Sequence, residues 1–281
     1  MYKILEKTQF SEKVFKFRIE APEMAKHAHA GQFLMVRANE TGERVPFTLA
    51  GWNGDEGWVE FIFMVIGKTT EMLSAYEAGE SLRDVVGPLG VPTEMAEGPC
   101  AVIGGGVGLA IAFPVAKHLV ETGHEVHAIM GARTKDLLLM EDQFRELLDE
   151  DHIHITTDDG SYGEKGVVTA PLDKKIVEGA NFDEVITIGP LIMMKFVVKT
   201  TKPHNVKTVV SMNPIMVDGT GMCGGCRLTV GGQTKFACVD GPDFDGFEVD
   251  FDEAMHRGTM YKPFEAHARE AECNLLKQEV Q

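Results

Sequence analysis

Apolar and charged residues alternate over positions 14–19 (VFKFRI), the two-residue period of a half-buried strand. Phe33–Arg37 follows a glycine and is apolar, and 58–66 (WVEFIFMVI) is a β-branched and aromatic run closed by Gly67. Turn-forming residues separate these runs at Gly31, 39–42 and 53–57. Short strands at this spacing predict a small antiparallel β-barrel over residues 1–97.

The pattern changes near residue 98. Short apolar runs at 101–103, 126–130, 152–156, Glu184–Ile188 and 208–212 predict strands. Between them, 111–119, 135–150, 165–179 and 192–200 carry helical periodicity, with Pro114 expected in the first turn of its helix. Strands alternating with helices predict a parallel α/β sheet over 98–212. The pattern breaks again at Asn213. Residues 213–281 read as a small appendage rich in glycine and cysteine, with a solvated acidic stretch at 240–253. The expected fold is therefore all-β plus α/β with a C-terminal appendage.

The net charge of −16, from 27 basic and 43 acidic residues, removes nucleic acid as an expected partner, because a phosphate backbone calls for a basic stripe. It also disfavours anionic lipid. The charged start MYKILEKTQF does not resemble an export signal, and the most apolar stretch, 100–116, is shorter than the roughly 20 residues of a spanning helix. A cytoplasmic, soluble protein is expected. His118, His124 and His127 read as surface or strand-edge residues.

Of five cysteines, Cys223, Cys226 and Cys238 crowd into 16 positions, while Cys100 and Cys273 stand alone. In a reducing compartment such a cluster binds metal more often than it forms disulfides. The order Asp218-x4-Cys223-x2-Cys226-x11-Cys238 matches the plant-type [2Fe–2S] spacing with Asp in the first place. Glycines at 219, 221, 224 and 225 allow a loop to wrap a cluster and turn N–H groups toward its sulfurs. A zinc site and a paired-thiol redox motif are the alternatives. The x4 gap and the glycines, which zinc does not require, favour iron–sulfur. A lone Asp before glycine is otherwise a common turn residue.

Four glycine-bearing loops follow predicted strands, starting at Gly104, Gly131, Asp158 and Gly189. In a parallel sheet, loops at the carboxyl ends of strands form the ligand crevice. The first (Gly104, Gly105, Gly106, Gly108) departs from the dinucleotide fingerprint, since Leu109 stands where the third glycine belongs. It still lets backbone N–H groups approach a pyrophosphate at a helix start, with a ligand-free strand–helix turn as the alternative. In the barrel half, RVPFT (44–48), GKTT (67–70) and GPLG (87–90) supply an arginine, hydroxyls and tight turns suited to a flavin diphosphate, each a weak signal alone.

Taken in order, RVPFT, GKTT, GPLG, GGGVG, DGSYGEKG, GPLIMM and the C-terminal cysteines resemble the ferredoxin–NADP reductase superfamily over essentially the whole chain. Within it the chain resembles the electron-transfer subunits of dihydroorotate dehydrogenase. It is more similar still to the small subunits of NADH-dependent reduced ferredoxin:NADP oxidoreductase, which share the Asp in the first cluster position. The resemblance implies that Arg44, Pro46, Phe47 and Thr48 line FAD, with Gly67, Thr69 and Thr70 at its pyrophosphate. It implies an NAD(H) site of Gly104, Gly105, Gly106, Gly108, Arg133, Asp158, Gly160, Gly189, Pro190 and Met193. It assigns the [2Fe–2S] ligands to Asp218, Cys223, Cys226 and Cys238. The implied role is electron transfer to a larger flavin and iron–sulfur partner subunit that binds NADP(H), with ferredoxin reached through the complex. The alternatives are the dihydroorotate branch itself and a nucleotide- or zinc-binding interaction protein without turnover. No general acid or base is expected, because hydride transfer to flavin needs positioned rings, not a proton relay.

Overall fold

The computed structural model describes residues 1–94, 96–262 and 264. Cys273 and the rest of the 265–281 tail lie outside the described residues.

The first half is a curled antiparallel sheet of β1 (Tyr2–Ser11), β2 (Val14–Glu20), β3 (Phe33–Arg37), β4 (Arg44–Asn53), β5 (Trp58–Met64), β6 (Ser81–Leu82) and β7 (Asp84–Leu89). Short helices α1 (Pro22–Ala25) and α2 (Lys68–Ser74) lie between its strands. The strand order is β6-β1-β2-β5-β4-β3-β7. Arg83 alone separates β6 at one edge from β7 at the other, so the sheet curls until its edges approach, as a half-barrel. The alternation of β2 turns Phe17 and Ile19 into the interior, where both are fully buried. Phe17 meets Phe61 and Phe63 edge-on, at 5.8 and 5.1 Å between ring centroids. The outward Lys16 and Arg18 share the Glu60 carboxylate at 3.0 and 2.7 Å.

The second half contains β8 (Cys100–Gly105), α3 (Gly108–Glu121), β9 (Val126–Ala132), α4 (Glu141–Leu147), β10 (Ile153–Thr157), β11 (Glu164–Lys165), α5 (Thr169–Val177), β12 (Glu184–Ile188), α6 (Leu191–Thr201) and β13 (Lys207–Ser211). Its strands run parallel in the order β11-β10-β9-β8-β12-β13. The order reverses direction between β8 and β12, so a crevice opens there at the strands' carboxyl ends. Val14 and Ile62 of the half-barrel share one core with Leu109, Ala112 and Val115 of α3, which joins the two halves. Among the described residues, no helix is long and apolar enough to cross a membrane.

Three local expectations are corrected. The 135–150 segment is not one helix: a 3-10 turn at Lys135–Leu137 and α4 are separated by Met140, which takes a left-handed backbone (φ 62°). The run LLLM at 137–140 turns inward there, burying Leu139, and helical continuity is lost. The 165–179 segment becomes helical only at Thr169. Pro114 lies in the second turn of α3, not the first, because the helix starts at Gly108 to bury Leu109 and Ala110. Its ring therefore removes one interior hydrogen bond.

The C-terminal part forms a hairpin of β14 (Arg227–Val230) and β15 (Gln233–Phe236), then α7 (Ala237–Asp240), β16 (Asp243–Asp245) and α8 (Phe251–Arg257). Strand β16 pairs antiparallel with β13 and extends the α/β sheet at its edge. The 240–253 stretch is therefore folded and not merely a solvated skirt. Phe244, Val249 and Phe251 fill a third core, shared with Phe33 and Met35 of β3 and with Met194 and Val198 of α6. Asp243 is half-buried with its Oδ1 enclosed, and desolvation raises its pKa above the ordinary carboxylate value.

Candidate functional site

Three groups of residues predicted from the sequence border the third core, the cysteine loop directly, the nucleotide loops through Met193 and the half-barrel strand through its neighbour Met35. The first is the cysteine loop. Cys226 and Cys238 are buried and Cys223 is exposed. Each of the three sulfurs accepts a backbone N–H: Cys223 from Gly225 at 3.4 Å, Cys226 from Cys238 at 3.4 Å and Cys238 from Gly221 at 3.2 Å. Such bonds stabilise thiolates and tune cluster potentials. Burial, reinforced by the hydrogen bond with Cys226, pushes the Cys238 thiol up to about 12, so a thiolate at this depth requires a metal cation beside it. Cys226 and Cys238 lie side by side in the core, with Cys223 on the exposed side of the same loop, and the donor atoms of Asp218 and the three cysteines are not drawn to within 4.8 Å of one another as a set.

Asp218 lies at the same loop. Its Oδ1 accepts the Thr220 N–H at 2.8 Å and its Oδ2 the Cys223 N–H at 3.1 Å. These bonds hold its carboxyl below the usual range, the Thr220 bond most strongly, so it is ionised at neutral pH. Each oxygen keeps a lone pair free of these bonds. The loop is tied down by groups not visible as a motif. Arg227 Nη1 donates to the Gly224 carbonyl at 3.1 Å, and Arg257 Nη2, from α8, donates to that of Gly225 at 3.4 Å.

The second group lines the β8/β12 crevice. A Cβ on Gly108 would lie 2.1 Å from the Ile188 carbonyl oxygen, and one on Gly105 would lie 2.4 Å from Met193 Sδ. These glycines let the start of α3 close onto the end of β12. Gly106 differs: its φ is +57° and a Cβ there would meet nothing within 4 Å, so it borders open space. No side chain among the described residues caps the α3 N-terminus. A phosphate can therefore approach the helix start at Gly106. Gly189 is buried and Pro190 exposed beside it, with Met193 half-buried. Arg133, Asp158 and Gly160 are exposed on the neighbouring carboxyl-end loops. Asn213, from the segment leading to the cysteines, donates to the Gly189 carbonyl at 3.3 Å.

The third group is on the half-barrel. Strand register pairs Thr48 with Phe33, Pro46 with Met35 and Arg44 with Arg37. Alternation puts these on the outward face, since Leu34, Val36 and Leu49 fill the barrel interior. Phe47 turns inward with them and stacks on Phe61 at 5.1 Å and 9°. Arg44 is exposed, and Pro46 and Thr48 are half-buried. The start of β4 and the end of β5 share one end of the barrel, which brings the Arg44 strand and the Gly67 turn together. At that turn the buried Thr70 hydroxyl donates to the Gly67 carbonyl at 2.9 Å and accepts the Ile66 and Gly67 N–H groups. It is thus committed to its own helix start. Thr69 is half-buried, and a Cβ on Gly67 would meet nothing within 4 Å.

One residue joins the groups. Met35 is on the outward face beside Pro46, and a Cβ on Gly219 of the cysteine loop would lie 2.6 Å from its Cγ. The same core takes in Met193 and Met194 from the crevice. Asn213 and Met35 were not singled out in the sequence because their roles come from long-range contacts with no local signature. His127, read as a surface or strand-edge residue, is instead buried in the interior strand β9.

Known families match the two parts of the chain that carry the cysteine loop and the crevice. Residues 213–250 match the iron–sulfur cluster binding domain of dihydroorotate dehydrogenase B, and residues 102–199 match the oxidoreductase NAD-binding domain. The chain is 48% identical over 260 residues to a dihydroorotate dehydrogenase B (NAD(+)) electron transfer subunit homolog of Thermotoga maritima, covering 92% of this chain and 91% of that one. It is 34% identical to a probable electron transfer subunit of the same enzyme from Methanocaldococcus jannaschii, covering 79% and 80%. A solved structure of NADH-dependent reduced ferredoxin-NADP oxidoreductase, described for flavin-based electron bifurcation, superposes with a TM-score of 0.88 at 46% identity, covering 96% of this chain and 97% of that one.

Proposed function

We propose a route for electrons that proceeds from one premise: this chain belongs to the family of dihydroorotate dehydrogenase B electron-transfer subunits and their relatives in NADH-dependent reduced ferredoxin-NADP oxidoreductase. It is an oxidoreductase subunit with an NAD-binding domain and an iron–sulfur binding domain. In our reading, residues 1–97 hold FAD, 98–212 bind NAD(H), and 213–281 hold a [2Fe–2S] cluster. A larger flavin and iron–sulfur subunit that binds NADP(H) takes the electrons onward, with ferredoxin as a further partner of the complex, in a reducing cytoplasmic compartment. When bound, FAD links the two-electron hydride of NADH to the single electrons an iron–sulfur centre carries.

The chain's own residues do the positioning. Gly106 and the α3 N-terminus receive the pyrophosphate of the nucleotide. Gly189, Pro190 and Met193 set its nicotinamide end against the half-barrel, and Arg133, Asp158 and Gly160 flank its adenosine end. Thr48 and Pro46 present the outward face to a flavin ring, with Arg44, Gly67 and Thr69 toward its diphosphate. Phe47 supports that strand from within the barrel. Asp218, Cys223, Cys226 and Cys238 hold the cluster. The observation that carries this reading is the shared core: Met35 touches both the cysteine loop and the flavin-facing strand, and Met193 closes the same core from the nucleotide crevice.

The test is a visible and EPR spectrum of the purified, partner-bound protein before and after NADH. The expected result is a yellow-brown protein containing flavin, iron and labile sulfide, bleached by NADH. A colourless protein holding zinc would overturn the reading. Recovery of a partner that oxidises dihydroorotate would move the chain to that branch.

Asp218→Cys tests the fourth ligand. A carboxylate is a harder donor than thiolate, so the exchange is expected to shift both the visible spectrum and the cluster's reduction potential. An unchanged spectrum and potential would show that Asp218 serves the turn alone.

A further inference from the structure

At the amino ends of β9 and β10, the opposite end of the sheet from the nucleotide crevice, lies a group of side chains that electron transfer does not use. Parallel pairing aligns Ala128 with Ile153 and Ile129 with His154, which brings His127 beside His152 at the mouth of the ladder. Glu125 immediately precedes β9 and His152 closes a 3-10 turn (Glu150–His152) leading into β10, so the two flank His127 of β9 and His154 of β10 at the start of the strand pair. The His127 and His152 rings lie 4.3 Å apart, centroid to centroid. Glu125 Oε1 lies 3.5 Å from His127 Nε2 and 4.0 Å from His152 Nε2. Donor atoms of the three residues all lie within 4.8 Å of one another.

We propose that Glu125, His127 and His152 form a second metal site, for a zinc-type divalent transition ion, distinct from the cysteine centre. Donors bound to zinc at ~2.0–2.1 Å in a tetrahedron are about 3.4 Å apart, so the two Glu125 contacts are close to the bound spacing. The half-buried His152 and the exposed Glu125 can close the remainder by side-chain rotation. Two imidazoles and one carboxylate select zinc, cobalt or nickel over magnesium or calcium, which prefer all-oxygen shells. His127 Nδ1 lies 3.5 Å from His154 Nε2. A metal on Nε2 leaves Nδ1 protonated, and that N–H points at His154, the outer hydrogen bond that metal-bound histidines require. A cleft lined by His124, Glu125, Arg145, Leu147, Asp149 and His152 opens two of the three donors, Glu125 and His152, to solvent. A bound ion would staple the two adjacent strands at their start.

The experiment titrates Zn²⁺ into the intact, cluster-containing protein by calorimetry, with iron content measured before and after. The expected result is one equivalent bound at micromolar or tighter affinity, with a raised melting temperature and no iron released. His152→Gln and Glu125→Gln are each expected to weaken binding about tenfold or more, and His154→Asn, which removes only the outer partner, by about 10–100-fold or less. His152 and Glu125 are solvent-accessible, so those variants should fold, and their melting temperatures without zinc check this. The proposal is overturned if the wild type takes up no zinc at micromolar concentrations. It is equally overturned if the folded variants bind as the wild type does, or if zinc uptake is matched by iron loss, which would place the ion at the cysteines.

Discussion

Replacing Cys238 by Ser is expected to strip the protein of iron and labile sulfide while leaving its fold and its nucleotide crevice in place. Cys238 is almost completely buried at the start of α7, where its sulfur accepts the Gly221 N–H and its own N–H is given to Cys226. A serine oxygen fits the same space and accepts the same N–H, so little core volume is lost. What is lost is one of only three soft thiolates, in a site whose fourth donor, Asp218, is already an oxygen. The visible cluster absorption and the EPR signal of the reduced protein should disappear. NADH should still reduce the flavin, but onward transfer to the partner should fall by at least the ~10–100-fold that losing even an outer partner of a metal site costs. Cys100→Ser is the control. Cys100 is buried in β8 with its thiol directed to the Gly98 carbonyl at 3.3 Å, in a core separate from the cysteine loop. That variant should keep its full iron content. Iron retained in Cys238→Ser would place the metal elsewhere.

The same cysteine loop shows what could be read from the chain. Spacing and glycines exposed the ligands because coordination is a local pattern, with Asp218 and the cysteines confined to 21 consecutive positions. The parallel strands were equally legible, since their apolar runs are short and bounded by glycine. The fate of the acidic stretch was not. Counting charges over 240–253 suggested a solvated face, yet Phe244, Phe247, Val249 and Phe251 come between the acids at close to strand period. Burial of these apolar residues, more than the charge, decided the outcome: Phe244 carries β16 onto the sheet edge and Phe251 anchors the start of α8. Met140 was hidden for the opposite reason: an unbroken helical period gives no sign of a left-handed residue that tertiary packing imposes. Phe47 lay within a recognisable motif, but whether it faced a cofactor or the barrel core depended on register, which only strand pairing fixes. His127 of β9 and His152, just before β10, are 25 positions apart in sequence and become neighbours through the parallel pairing of those strands.

The nucleotide crevice supplies the second large effect, through two glycines two positions apart. Gly108→Ala puts a methyl group 2.1 Å from the Ile188 carbonyl oxygen, 2.7 Å from its carbon and 2.9 Å from Gly189 Cα. All three obstacles are backbone, so no rotamer change relieves them, and the first turn of α3 must move away from β12. Overpacking of this kind costs about 1–3 kcal/mol, or ~2–12 °C in melting temperature for a chain of this size. A displacement of about 1 Å at the point where the cofactor binds can also cost ~100-fold in turnover with NADH. Gly106→Ala separates the two consequences. Its methyl group meets no protein atom within 4 Å, and the strain of a left-handed alanine is about 1–2 kcal/mol. The methyl nevertheless projects into the space where a pyrophosphate would lie. Gly106→Ala should therefore raise the KM for NADH sharply at a modest cost in stability, whereas Gly108→Ala should lose both. Rates of flavin reduction by NADH, read beside melting curves for the two variants, decide the matter. If Gly106→Ala reduces its flavin at the wild-type KM, the nucleotide does not approach the sheet at the β8/β12 switch, and the open space at Gly106 is only a turn.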